Sequence, residues 1–239
     1  MFEKLEKLQL FWLGVVLALG LIIAVNAGTG KMSDNKISVT GSAYKVVKSD
    51  SARMEFEIMT RQANKQIAYN VVKKQLPIVK KYLEEKGLTD VDVRSPNGYY
   101  SYRYNANGNM TNDIAYYNYS QSVVVKSDDV QKIKDVSTDI QNLLDQDIDI
   151  NMLNTEYFYS KLSDLKVELL QDATTDAKNR ATAMLKATHN RPAKIQAVNM
   201  GVFQITPVDS TNVSDMGIND TTTIEKKVTA VANVVFRIK

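Results

Sequence analysis

His189 is the only imidazole available to this chain, so a Ser-His-Asp arrangement for nucleophilic catalysis is possible only through it. No G-x-S-x-G turn accompanies it. It falls near the C-terminal end of a predicted long helix, where a protonated ring is favoured by the helix dipole. Phosphate-binding glycine loops and H-E-x-x-H are absent from the sequence. Cysteine is absent too, which excludes disulfides, thiolate metal sites and thiol redox catalysis in this chain.

The nearest approach to a metal motif is Asp145, Asp147, Asp149, Asn151 and Glu156, which fall on calcium-loop positions one, three, five, seven and twelve. Position six is Ile150, where that loop needs glycine for its sharp turn. Ile148 and Ile150 alternating with the aspartates fit a strand entering a core with its carboxylates on the wet face. Asp172 and Asp176 share a helix face, but Asp176 stands four residues before Arg180, which reads as a surface ion pair. No cofactor or metal is expected.

The least ordinary feature is a concentration of tyrosines: Tyr99, Tyr100, Tyr102, Tyr104, Tyr116, Tyr117 and Tyr119. Period two sends Tyr100, Tyr102 and Tyr104 to one face of an extended segment and Tyr117 and Tyr119 together on a second. Two readings stand: cross-strand stabilisation and core filling, or an interface, since tyrosine buries large area while keeping a polar tip. A stacking platform for a glycan or nucleic acid is a minor form of the second. Few lysines and arginines are interleaved with the rings, so nucleic acid is not expected.

The elements that must position these residues are legible in the hydrophobic period. Ile37, Val39 and Gly41, then Ala52, Met54, Phe56 and Ile58, alternate as two strands joined across Lys48-Ser49-Asp50. Ala68, Val72, Leu76, Val79 and Leu83 mark a helix from about Asn64 to Lys86 that ends at Gly87; Pro77 inside it is expected to kink or divide it. Segments 89–104 and 114–126 form a long hairpin around Asn105-Ala106-Asn107-Gly108-Asn109. Ser127 or Asp128 caps a helix carrying Val130, Ile133, Val136, Ile140 and Leu143.

A strand at 148–159 and a helix at 160–188 follow, the helix bearing Leu162, Leu165, Leu169, Ala173, Ala177 and Ala181 on one stripe. Asn190 supplies a left-handed helix end. Strands at 193–206 and 226–238 flank a long polar loop, 207–225. The fold class is α+β: mainly antiparallel sheets with helices on one face, in two βαββ-like halves, 36–146 and 147–239.

Ahead of this domain, Leu8 to Ala27 is an uncharged run of about twenty positions, enough to span a hydrocarbon core of ~30 Å. It divides the N-terminus into a short cytoplasmic segment (1–9), a transmembrane helix (10–27) and a linker (28–35). Phe11, Trp12, Leu13, Val16, Leu19, Ile22 and Ile23 are its anchoring residues, with the aromatic pair at the interface. Val25-Asn26-Ala27 before Gly28 also fits a signal-peptide cleavage site. Both readings place 28–239 outside the cytoplasm: an inner-membrane single-pass protein with a periplasmic C-terminal domain, or a soluble periplasmic one cut near Ala27. No cysteine follows the run, so lipoprotein acylation is excluded. The net charge of +3 is interspersed rather than blocked, a field too weak to argue for nucleic acid or an anionic membrane surface.

Several short motifs resemble the SIMPL-domain family, which includes periplasmic immunogenic and oxidative-stress defence proteins of bacteria. They are Ile37-Ser38-Val39-Thr40-Gly41, Asp50-Ser51-Ala52, Lys86-Gly87-Leu88 and Leu162-Ser163-Asp164-Leu165-Lys166, continuing through Ala173, Ala177, Arg180 and Ala181. The resemblance covers about 36–239. His189-Asn190 stands where the family usually has glycine, and Pro77 interrupts the first helix. The resemblance implies an extracytoplasmic location and ring-like homo-oligomers, with no catalytic residues to carry over. The expectation is a non-enzymatic, membrane-anchored envelope protein that assembles with itself, linked at most indirectly to stress defence. The alternative is a periplasmic module that binds a small ligand or glycan through the tyrosine hairpin.

Overall fold

The computed structural model describes residues 19–21 and 35–239. Leu19 lies in a helical turn, while the other expected anchor residues, Phe11, Trp12, Leu13, Val16, Ile22 and Ile23, lie outside the described residues. Among the described residues no helix is long and apolar enough to cross a membrane. The chain divides into two compact units, one of Ser42–Thr174 and Met200–Ala232, the other of residues up to Gly41, Thr175–Asn199 and Asn233–Lys239.

The elements are β1 (Lys36–Lys48), β2 (Ser51–Gln62), α1 (Lys65–Glu85), β3 (Asp90–Val93), β4 (Asn97–Tyr104), β5 (Met110–Ser127) and α2 (Val130–Asp139). A 3-10 helix (Ile140–Gln146) follows, then β6 (Asp149–Phe158), α3 (Leu162–Lys186), β7 (Pro192–Met200), β8 (Gln204–Pro207), β9 (Ile218–Asn219) and β10 (Glu225–Ile238). This is the expected α+β class. One five-stranded sheet has the order β3-β5-β2-β6 with β4 also on β5; the other runs β1-β10-β8-β9 with β7 also on β10.

Strand pairing runs across the two expected βαββ-like halves, 36–146 and 147–239. β6, from the second half of the chain, pairs antiparallel with β2, and β1, from the first, pairs with β10. Period two identifies a strand and its buried face but carries nothing about which neighbour it joins.

The first sheet buries one face under helices. Met54, Phe56 and Ile58 of β2 and Val123 and Val125 of β5 form one core with Val79 and Leu83 of α1, Ile133 and Val136 of α2, and Ile148 and Ile150 around the start of β6. Each such side chain contributes roughly 1.5–3 kcal/mol on full burial. Asp149 stays exposed between the two isoleucines, as the alternation requires.

α1 starts where its cap predicts: Asn64 Oδ1 accepts from the N–H groups of Gln66 (2.8 Å) and Ile67 (3.3 Å). It runs unbroken through Pro77, so the expected division does not occur. α2 is capped not by Ser127 or Asp128 but by Asp129, whose Oδ1 accepts from Lys132 N at 3.0 Å, while Ser127 Oγ accepts from Asp129 N at 3.0 Å. Its last apolar residues, Ile140 and Leu143, are buried in the 3-10 helix rather than in α2 itself.

Helix ends close in a common way. Gly87, Asp147 and His189 adopt positive φ (74°, 58° and 59°). Each following residue donates its N–H back five positions: Leu88 to Leu83 (2.9 Å), Ile148 to Leu143 (3.2 Å), Asn190 to Leu185 (3.2 Å). This satisfies carbonyls that the helix leaves orphaned. The left-handed residue after α3 is therefore His189 and not Asn190; both residue types tolerate that region, and the last turn of helix decides between them.

Further differences lie in the extended segments. The predicted strand 89–104 is split into β3 and β4 around Ser95-Pro96, where proline has no N–H for the ladder. The predicted strand 193–206 is split into β7 and β8 around Gly201. Loop 207–225 contains β9, parallel to β8. α3 buries Leu165, Leu169, Ala173, Ala177 and Ala181 of the expected stripe and adds Leu185, while Leu162 at its start is only half-buried. In the other unit, Asn233 links Ser38 and Thr40 by side-chain hydrogen bonds at 3.0 and 3.1 Å, and Arg191 and Lys239 exchange backbone hydrogen bonds at 2.9 and 3.0 Å.

Candidate functional site

The hairpin formed by β4 and β5 brings the tyrosines together beyond the end of the core. At its tip, Asn105 Oδ1 accepts from the N–H groups of Asn107 and Asn109, both at 3.0 Å, and Gly108 takes φ 78°. Side chain and glycine thus build the turn locally. β5 continues from this arm into the core, where Val123 and Val125 are fully buried. The tyrosines themselves fall outside the core, and Tyr99, Tyr100 and Tyr104 are 60%, 51% and 69% exposed.

The rings form edge-to-face contacts. Tyr100 meets Tyr102 at 5.2 Å between centroids and, across the strands, Tyr117 at 6.4 Å. Tyr119 meets Tyr69 of α1 at 5.7 Å, which ties the arm to the helix layer. Edge-to-face pairing sets the positive edge of one ring against the negative face of the next. Tyr100 and Tyr102 share a face as period two predicts, but the register shifts twice before Tyr104, which comes to lie opposite Met110. A hydrogen bond with Tyr100, and then the charge of that neighbour, raise the Tyr102 phenol above its ordinary range. Tyr116 lies on the opposite face, under the Arg61 guanidinium at 4.3 Å.

Two partners escaped sequence reasoning. Tyr69 flanks the buried stripe of α1 and looks like a surface residue until β5 is placed beside it. Gly98 sits opposite Tyr119, and the ring fills the space its missing side chain leaves. A lone glycine inside a strand pattern is the available signal for such a close approach.

The face of the first sheet away from the helices carries a charged cluster. Glu55 accepts from Arg53 (2.6 Å) and Arg94 (2.5 Å), and Arg53 reaches Glu156 at 3.2 Å. Glu156 is thus engaged by Arg53, and Asp147 serves as a helix end. Among the described residues, no group of three or more acidic or histidine side chains is placed to hold a metal ion. The expected Asp176–Arg180 pair is present at 2.7 Å.

A second polar centre closes loop 207–225. Asp220 accepts from Thr222 N (2.9 Å), Thr222 Oγ1 (2.8 Å) and Thr223 Oγ1, and faces Lys226 at 3.5 Å. Burial alone would push the carboxyl up, but the threonine hydrogen bonds and the Lys226 charge outweigh it and hold it at about 2. Burial lowers Lys226, with Asp220 offsetting part of the effect. Thr221 O and Ile224 O in the same loop accept from Tyr157 N and Ser49 N, both at 2.8 Å, so this pair anchors a strap rather than exposing a reactive amine.

A family model, SIMPL, described as a protein of unknown function (DUF541), matches residues 37–236. The chain belongs to the SIMPL family. Its SIMPL domain begins in β1 and ends in β10, so the match embraces strands of both sheets, the β4–β5 hairpin of the first included. No curated protein matches the chain. His189 fills a left-handed helix end, a conformation that glycine adopts without a side-chain penalty.

Proposed function

We propose that this SIMPL protein is a non-enzymatic, membrane-anchored component of the bacterial envelope that assembles with copies of itself through the β4–β5 hairpin. The observation that carries the reading is the hairpin's surface: a run of large, half-exposed aromatic rings projecting from the core on a well-specified turn. Tyrosines in that state lose little rotamer freedom on docking and bury large area, which is the composition of protein–protein contacts. The apolar segment 10–27 supplies the bilayer attachment and places the domain in the periplasm. The role is structural or interactive, any part in stress defence is indirect, and nucleic acid is not a partner.

The test is light scattering of the full-length protein in mild detergent, with an intact-mass spectrum of the subunit. The expected result is a defined multimer of uncleaved chains that dissociates when Tyr100, Tyr102 and Tyr104 are replaced by serine while circular dichroism is retained. A monomeric wild type at micromolar concentration would end the reading, and a subunit cut after Ala27 would remove its membrane attachment.

A further inference from the structure

The face of the first sheet away from the helices holds a second, separate feature. A groove of about 450 Å³ crosses β4, β5, β2 and β6 there, within the ~300–1,000 Å³ range of small-molecule sites. Tyr99, 60% exposed, stands at the β4 side and Asp149 at the β6 side, with Glu57, Arg61, Asn118 and Ser120 along it.

The polar groups are held in place by one another. Glu57 Oε1 accepts from the hydroxyls of Ser120 (3.3 Å) and Ser122 (3.2 Å). Asn118 Oδ1 accepts from Arg61 Nε at 3.4 Å and its Nδ2 donates to Ser101 Oγ at 3.2 Å, while the guanidinium is steadied over Tyr116. Each of these groups has hydrogen-bonding capacity beyond those bonds: the second carboxylate oxygen of Glu57, one N–H and one lone pair of Asn118, and the terminal N–H groups of Arg61.

The mixture decides the ligand class. A cationic ligand needs acceptors and an aromatic face only, and Arg61 in the same groove opposes it. An anionic ligand is opposed by Glu57 and Asp149. A neutral polyhydroxyl ligand uses donors and acceptors together, and its C–H face matches an exposed phenol ring. We propose that this groove binds a neutral oligosaccharide, with a sugar ring against Tyr99 and its hydroxyls shared among Glu57, Arg61, Asn118 and Asp149. This site lies apart from the Tyr100–Tyr102–Tyr117 stack and does not rest on the assembly reading.

Saturation-transfer NMR on the full-length protein in a non-glycosidic detergent, with maltotriose and chitotriose as probes and spermidine as the cationic control, tests the proposal. Transfer to at least one sugar is expected, weakened roughly tenfold by Tyr99→Ala and by Asp149→Ala and kept by Tyr99→Phe. Light scattering on the same samples shows whether Asp149→Ala leaves assembly untouched, which separates loss of the sugar from loss of the multimer. No transfer to either sugar, transfer indifferent to both substitutions, or binding of spermidine alone overturns the proposal.

Discussion

The ring of Tyr119 stands where a side chain on Gly98 would be: the two residues are paired across β4 and β5, and a Cβ added at 98 would meet Cε2 and Cδ2 of the tyrosine at 2.4 and 2.5 Å. An aromatic covering a strand glycine both fills the gap in the sheet surface and pins the register. Gly98→Ala is therefore expected to destabilise by about 1–3 kcal/mol, read as a shift in urea midpoint. Because the clash is with one ring, Tyr119→Ala in the same chain should recover much of the loss. A neutral Gly98→Ala would show that the ring moves aside freely.

Glu55 is nearly buried between two arginines that are themselves partly exposed. Glu55→Gln removes the charge both guanidiniums face, and with their exposure discounted the expected loss is about 1–3 kcal/mol in denaturant unfolding. Adding salt to the wild type should reproduce little of it, because a buried carboxylate is screened weakly. A wild type that loses as much stability in salt as the variant does would mean the cluster behaves as a surface pair.

The Asp220 carboxyl titrates at about 2 in the folded protein against an ordinary value of 3.8. The unfolded chain thus binds its proton more readily, so the stabilisation is present above about 3.8 and is lost as pH falls through about 2. Lys226 is also lowered, which makes stability rise with pH on the alkaline side as its charged form is relieved. Asp220→Asn is expected to flatten the acid limb of a stability–pH profile; an unchanged limb would assign acid unfolding to other carboxylates.

His189 adopts φ 59°, a region that costs a residue with a side chain roughly 1–2 kcal/mol and glycine little. His189→Gly is expected to raise the thermal midpoint, with a gain of about 0.5–1 kcal/mol after the added freedom of the unfolded chain is subtracted. A lower midpoint would reveal a stabilising contact of the imidazole that outweighs its backbone cost.

What the sequence disclosed was local. Asn64, the apolar stripe and Gly87 each act within a few residues, so α1 is readable almost to its ends, and the Asn105–Asn109 turn likewise. Pro77 does not divide α1, since the packing of Val79 and Leu83 holds the helix past the defect. The sheet partners of β1 and β6 were not legible, since their alternation is satisfied by either neighbour. The rings of the hairpin could be named in advance, yet Tyr69 and Gly98 are joined to Tyr119 only through tertiary structure. The groove beneath Tyr99 draws on β2, β4, β5 and β6, so no stretch of sequence carries its signature.

β5 is one uninterrupted strand of 18 residues, with the aromatic arm at one end and Val123 and Val125 at the other. A slip of a single residue against β2 would turn both valines away from the helices and out of the core. The arm is consequently clamped from inside the domain and has no sliding freedom. The arm is thus a lever whose fulcrum is the core itself, and a load applied at its tip passes along β5 into that core.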